Sequence, residues 1–249
     1  MKKWTMRLSV TIVLITGLLV IIVLNPILTY ANKTQHELFT IYSQSIPDPL
    51  ISTYLDQAND LLKKSELYNP NLRLDICLND GSDYPDIIRG IIGQAFAMGF
   101  YNKVVLQGNL NTEINVVELN GYKWNFTQLL AHEMIHCLQF DKLGLWKSKP
   151  IADIDNWKWE GYAEYISRQR PGQCDLYSNL KYLQKQNTGS WEIVLEDSTI
   201  SPREYFQSWT LVQYCMDVRK MTFTELLQDT TGEILLRQEM KMWFEKMKI

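Results

Sequence analysis

The chain has 249 residues, with 25 Lys+Arg against 28 Asp+Glu, three histidines and four cysteines. Setting aside Lys2, Lys3 and Arg7 doubles the acidic excess, which argues against nucleic acid and anionic surfaces as partners. Hydrophobic residues make up 46%, ample for a core, and neither a low-complexity linker nor an internal repeat interrupts the chain.

Lys2, Lys3 and Arg7 precede an almost wholly apolar run from Leu8 to Leu24, and no charge returns before Lys33. At ~1.5 Å per residue this run approaches the span of a bilayer core, with Ile27-Leu28 extending it past Pro26. Residues 1–32 are therefore expected to form a signal-anchor or signal peptide, and residues 33–249 a single domain. The flanking cations put the N-terminus in the cytoplasm and the rest outside. Two outcomes follow. Either the segment is retained as a single-pass anchor, making the membrane a partner, or it is cut after Thr29-Tyr30-Ala31 and the protein is secreted. The length of the apolar run favours the anchor.

Pro49 to Tyr68 reads as an amphipathic helix, and Leu72 to Leu78 as a strand followed by an Asp80-Gly81 turn. Ile87 to Phe100 is apolar with three glycines and fits neither template. Lys103–Gln107 and Glu113–Leu119 read as strands. Asn125, with Gln128 three residues on, opens a helix whose buried stripe runs through Leu129, Leu130, Met134, Ile135 and Leu138 to a stop at Gly144. Further helices are expected over Trp157–Arg168, Asp175–Gln186, Arg203–Lys220, Thr222–Gln228 (capped by Thr222 with Glu225) and Glu233–Lys248. Strands before Asn125 and helices after it describe an α+β fold, a small mixed sheet followed by a mainly helical half.

The chemistry is concentrated in His132-Glu133-Met134-Ile135-His136 and, further on, Trp159-Glu160-Gly161-Tyr162-Ala163-Glu164. His132 and His136 stand four apart, so on a helix they project from one face and can share a metal ion. Glu133 beside them can reach a water on that metal. A catalytic zinc usually takes three protein ligands and keeps one position open. A third histidine in the metzincin spacing would fall on Lys142, which excludes that class, and His36 is remote in sequence. A carboxylate from the following helix is the other common solution. Glu160 can bind the metal while Glu164, one turn on, accepts a hydrogen bond from the far nitrogen of a ligand histidine.

These two segments resemble the gluzincin signature, HExxH followed on the next helix by a ligand Glu within N/W-E-G-F/Y-A-E. The wording is nearer the aminopeptidase N branch and the minigluzincin-type peptidases than thermolysin. The resemblance implies a zincin-like catalytic half with Zn2+ as cofactor, His132, His136 and Glu160 as its ligands, Glu133 as general base and Glu164 as the carboxylate behind a histidine. Two departures stand out. Trp159 occupies a position where many relatives have Asn, removing a hydrogen bond, and the stretch between His136 and Glu160 is longer, implying an inserted loop around Lys147–Asn156. No histidine follows His136, so the oxyanion donor must be a tyrosine, as in the aminopeptidase branch. Tyr205, with Ser208 three residues later, resembles the start of that branch's next helix, and Tyr214 is the second choice. In such folds an edge strand upstream of the motif binds substrate backbone. Val104-Val105-Leu106 is preferred for this over Val116-Val117-Glu118, and a buried core strand is an equal alternative for each.

The expected function is thus a zinc-dependent extracytoplasmic peptidase acting on peptide or protein substrates. The branch's amine-binding G-x-M-E-N segment is missing, so an endopeptidase is preferred to an aminopeptidase. A silent binding or sensor module on the same fold and a zinc hydrolase of non-peptide substrates are the competing readings. Arg203 near Tyr205 is either a carboxylate anchor or a solvated helix-start residue. Cys77, Cys137, Cys174 and Cys215 allow two disulfides in three connectivities, or none.

Overall fold

A computed structural model describes residues 2–186 and 189–247, with side chains from Ser9 onward. Its centre is a five-stranded mixed sheet built from β1 (Asn32–His36), β2 (Phe39–Ser43), β3 (Leu74–Cys77), β4 (Ala97–Phe100) and β5 (Lys103–Leu106), in spatial order β1-β2-β3-β5-β4. β2, β3 and β5 are parallel, while β1 and β4 run antiparallel to their neighbours at the two edges. The inner strands are short, nearly continuous apolar runs, as expected where both faces are covered. Ile41, Ile76, Val104 and Leu106 face the main core, which holds α2 (Leu50–Leu62) and α4 (Phe126–Leu143). Tyr42, Cys77 and Val105 face the other side, where Ile88 of α3 (Tyr84–Ile92) joins them.

A second sheet, β6 (Asn109–Asn111), β7 (Val116–Leu119) and β8 (Tyr122–Asn125), is an antiparallel meander that leads straight into α4. Its β7–β8 hairpin turns at Asn120-Gly121, both at positive φ (53° and 82°), the pairing that a tight hairpin turn requires. After α4 the chain runs through α5 (Asn156–Ser167), α6 (Leu176–Lys185), the hairpin β9 (Glu192–Val194) and β10 (Ile200–Pro202), α7 (Arg203–Gln213), α8 (Phe223–Gln228) and α9 (Glu233–Lys246). The Thr222/Glu225 capping box of α8 is formed as expected. Lys248, the expected end of the last helix, lies outside the described residues.

Three expectations are corrected. The unassigned stretch from Ile87 to Phe100 is two elements, the end of α3 and then β4, separated by Gly93 at φ 95°. Val104, Val105 and Leu106 do not form an edge: β5 pairs with β3 on one side and β4 on the other, and all three side chains are fully buried. The edge strand is β4. Finally, among the described residues no helix is long and apolar enough to cross a membrane, which overturns the expected membrane-spanning segment and the single-pass anchored topology. The helix α1 (Lys2–Leu24) stops ahead of Pro26, and Ile27-Leu28, expected to extend it, lie in a separate 3-10 turn. Leu8 to Leu24 then rises only about 25 Å against a bilayer core of ~30 Å, and Ser9, Thr11, Thr16 and Gly17 dilute it. The segment after α1 is built into the domain. Tyr30 is buried with Tyr42 and Tyr84, its hydroxyl donates to Leu78 O at 2.7 Å, and the Tyr84 hydroxyl donates to Val23 O at 2.6 Å. All four cysteines are free thiols, with Cys77, Cys137 and Cys215 buried and Cys174 exposed.

β4 lies unusually close to α4. A Cβ placed on Gly99 would sit 2.1 Å from the Glu133 carbonyl oxygen, a backbone atom that cannot step aside. Gly99→Ala is therefore expected to cost at least the ~1–3 kcal/mol typical of overpacking and to lower Tm by several degrees, at roughly 2–4 °C per kcal/mol. Gly90 in α3 has no atom within 4 Å of such a Cβ, so Gly90→Ala should leave Tm unchanged or raise it. Thermal unfolding of the two variants side by side checks the assignment.

Candidate metal centre

Asn125 caps α4 by accepting from Gln128 N at 3.1 Å, and every residue from Phe126 to Gln139 is buried. The helix is thus central, with no solvent face, and the polar groups it carries must be satisfied internally. His132 and His136 project together from this helix. Glu160 arrives from α5, whose own position is set by α7. A Cβ on Gly161 would lie 2.7 Å from Ser208 O, so the two helix backbones touch at that point. This contact brings Tyr205, three residues before Ser208, to the site, where its ring stacks on His132 at 5.7 Å and 10°.

The three expected ligands converge. His132 Nε2 is 3.2 Å from His136 Nε2 and 3.2 Å from Glu160 Oε2, and His136 Nε2 is 3.3 Å from the same oxygen. Three ligand atoms about 2.05 Å from a tetrahedral ion stand roughly 3.3 Å apart, so the spacing fits a small cation with a fourth position open. The outer nitrogens fix the tautomers. His136 Nδ1 donates to Gln139 Oε1 at 2.8 Å, and His132 Nδ1 lies 3.2 Å from Glu164 Oε1. Both atoms of this second contact are buried and face each other. Both Nε2 lone pairs therefore point inward with Glu160 Oε2, three acceptors facing one space with no protein donor between them.

Glu133, Glu160 and Glu164 bring three carboxylates close together, and Arg168 sets one guanidinium against Glu164, so the cluster carries an acidic excess that suits a cation. His132, His136 and Glu160 can hold a metal ion. Burial disfavours a charged His132 ring, but Glu160 and Glu164 outweigh it and push its pKa up to about 10. Burial likewise works against an ionised Glu160, and the two histidines hold its carboxyl well below the usual carboxylate range. A proton thus competes with a metal for the same lone pairs.

Glu133 ligates nothing in this cluster. Its Oε2 accepts from Gly99 N at 2.6 Å, and burial pushes its carboxyl up. Because the Gly99 N–H turns to Glu133 rather than to β5, the backbone groups of Gly99 and Ala97 face away from the sheet, alongside the cluster. A cleft of about 490 Å³ opens there, lined by β4, the metal-ligand cluster, Tyr205 and the rings of Phe96, Trp124, Phe140, Trp159 and Trp191. Burial, then the charges of Glu160 and Glu133, raise the Tyr205 hydroxyl well above its ordinary pKa, so it is a donor at neutral pH.

The chain matches no family model, no curated protein and no solved structure. The gluzincin resemblance therefore rests on the motif residues. Of the expected site residues, His132, Glu133, His136, Glu160, Glu164 and Tyr205 come together. Tyr214 lies apart, packed near Trp243, and His36 pairs with Asp56. Arg203 donates to Ser190 O at 2.6 Å instead of standing free in the cleft. Val104, Val105 and Leu106 lie inside the sheet, and β4 takes the place expected of them. Trp159, where a hydrogen bond was expected to be missing, stacks on His136 at 5.7 Å and 9°, and Gln139 supplies the bond instead. Gln139 stands three residues after His136 and Arg168 four after Glu164, spacings that could have marked both. Lys149 and Pro150, from the stretch between the two motif helices, line the cleft wall.

Two outcomes test the centre. Gln139→Leu should weaken metal binding by roughly 10–100-fold while leaving the fold intact, measured by chelator competition and circular dichroism. Metal affinity should also rise with pH between the ordinary imidazole value of 6.5 and about 10, as the proton on His132 is lost. Isothermal titration across buffers of different ionisation enthalpy reads the released proton directly.

Proposed function

We propose that the protein is a zinc-dependent peptidase. The observation that carries the reading is a fourth side chain: Glu133, a carboxylate that binds none of the cluster's groups, is held by Gly99 N–H at 2.6 Å beside three converging metal ligands and a free strand edge. Two histidines and one carboxylate in tetrahedral spacing suit zinc better than magnesium or calcium, which favour all-oxygen shells. Zinc, when bound, supplies a Lewis acid that polarises a carbonyl and acidifies water.

The chain's own groups divide the remaining work. The Ala97 N–H and the Ala97 and Gly99 carbonyls on the outer side of β4 align an extended peptide by strand addition, the Gly99 N–H being taken by Glu133. Glu133, its pKa raised by burial, takes the proton from the attacking water and returns it to the leaving nitrogen. Tyr205 donates its hydroxyl hydrogen to the developing oxyanion. Glu164 and Gln139 keep the two imidazoles turned inward. Among the described residues, the charged side chains lining the cleft besides Glu133, Glu160 and the histidines come down to Lys149, with no further acid to hold a free amino terminus, and this favours an endopeptidase working on apolar stretches of chain.

In a peptide-library assay with zinc-loaded protein, the wild type should cleave internal bonds. Glu133→Gln should keep its zinc and lose turnover by roughly 10²–10⁴-fold. Tyr205→Phe should lower kcat by about 10²–10³-fold with little change in KM. Zinc binding with no turnover on any substrate would leave the binding module as the answer, and cleavage of esters but not peptides would leave a different hydrolase.

A further inference from the structure

Arg168 is 1% exposed and caps the C-terminus of α5, four residues after Glu164. Its Nε donates to Glu164 Oε2, and its Nη1 lies 3.5 Å from Gln128 Oε1 on α4. Its guanidinium rests over the Trp209 ring of α7 at 5.4 Å. Gln128 is oriented in turn, because its Nε2 donates to Gln173 Oε1 at 2.7 Å and leaves its oxygen for Arg168. The fork is therefore held from three helices and aimed at one carboxylate.

That carboxylate joins Arg168 to the cluster. Glu164 is wholly buried, and its second oxygen faces His132 Nδ1 at 3.2 Å. An ionised carboxylate buried against a neutral imidazole N–H, with Glu133 and Glu160 nearby, would be an uncompensated charge. A permanently charged guanidinium, bonded through Nε to Glu164 Oε2 and held from the other side by Gln128 and Trp209, offsets that cost. We propose that Arg168 is a positioning residue: by holding Glu164 against His132 it sets how tightly the His132–His136–Glu160 cluster retains a divalent cation. This rests on the metal-binding reading of that cluster.

The test measures zinc affinity by competition with a chromophoric chelator, with folding followed by circular dichroism. Arg168→Gln should weaken zinc binding by about 10–100-fold, the range seen when outer partners of ligand histidines are lost. Arg168→Lys should recover part of the loss through its charge. With Glu164→Gln already present, adding Arg168→Gln should cost less than about threefold, because the charge it offset is gone. An arginine with a purely packing role would lower Tm with affinity unchanged, or cost the same in both backgrounds, and either result overturns the proposal. If Arg168→Gln fails to fold, Arg168→Lys decides: affinity several-fold below wild type supports the proposal, and wild-type affinity overturns it. Failure of the metal reading itself would show separately, as wild-type protein that takes up no zinc.

Discussion

The contact on which the cleft depends is the one between the backbone of β4 and the backbone of α4 at Gly99. With no Cβ between them, the strand settles onto the helix, and the Gly99 N–H reaches the Glu133 carboxylate. That single bond turns the edge of β4 outward beside the metal ligands and holds the free carboxylate on the same side. Gly161 does the same for α5 and α7, bringing Glu160 and Tyr205 to one space. Both contacts are between main chains, so neither can be relieved by a change of rotamer. The geometry of the centre is therefore as rigid as the packing of β4 on α4 and of α7 on α5.

Burying a polar cluster in the middle of such a helix carries an electrostatic cost that the surroundings answer residue by residue. Gln139 satisfies one imidazole, Glu164 the other, Arg168 satisfies Glu164, and Gln128 and Trp209 orient Arg168. Each partner lies three or four residues along the same helix from the group it serves, or on the helix packed against it. What this shell leaves facing inward is two imidazole nitrogens and a carboxylate oxygen, a set that can hold a metal ion. The aromatic rings stacked on His132 and His136 exclude water from the flanks of the site and sharpen those interactions.

Much of the site was legible before the fold was known, because it is written in helical spacing. Residues four apart on one helix share a face whatever the tertiary structure, so His132 with His136 and Glu160 with Glu164 could be paired on paper. Gln139 and Arg168 obey the same rule and were passed over because neither residue type announces itself as a metal partner. The sheet was harder. β4 hides in a glycine-rich apolar stretch whose composition suits helix or strand, while β5, with its clean Val104-Val105-Leu106 run, is apolar because it is interior. Hydrophobicity marked an interior strand in place of an edge, since an edge strand tolerates glycine better than an inner one. The Asn120-Gly121 pair was a strong hairpin signal that went unused.

By itself the sequence determined the α+β order, the motif helix with its caps, and a ligand set of two histidines and a carboxylate, all products of local periodicity and local hydrogen bonding. Only the tertiary structure decided which strand forms the open edge, which of thirteen tyrosines faces the cluster and how the apolar N-terminal run ends. Those outcomes depend on contacts between residues far apart in the chain. They turn on where two backbones can touch, and no repeat of three, four or seven residues encodes that distance.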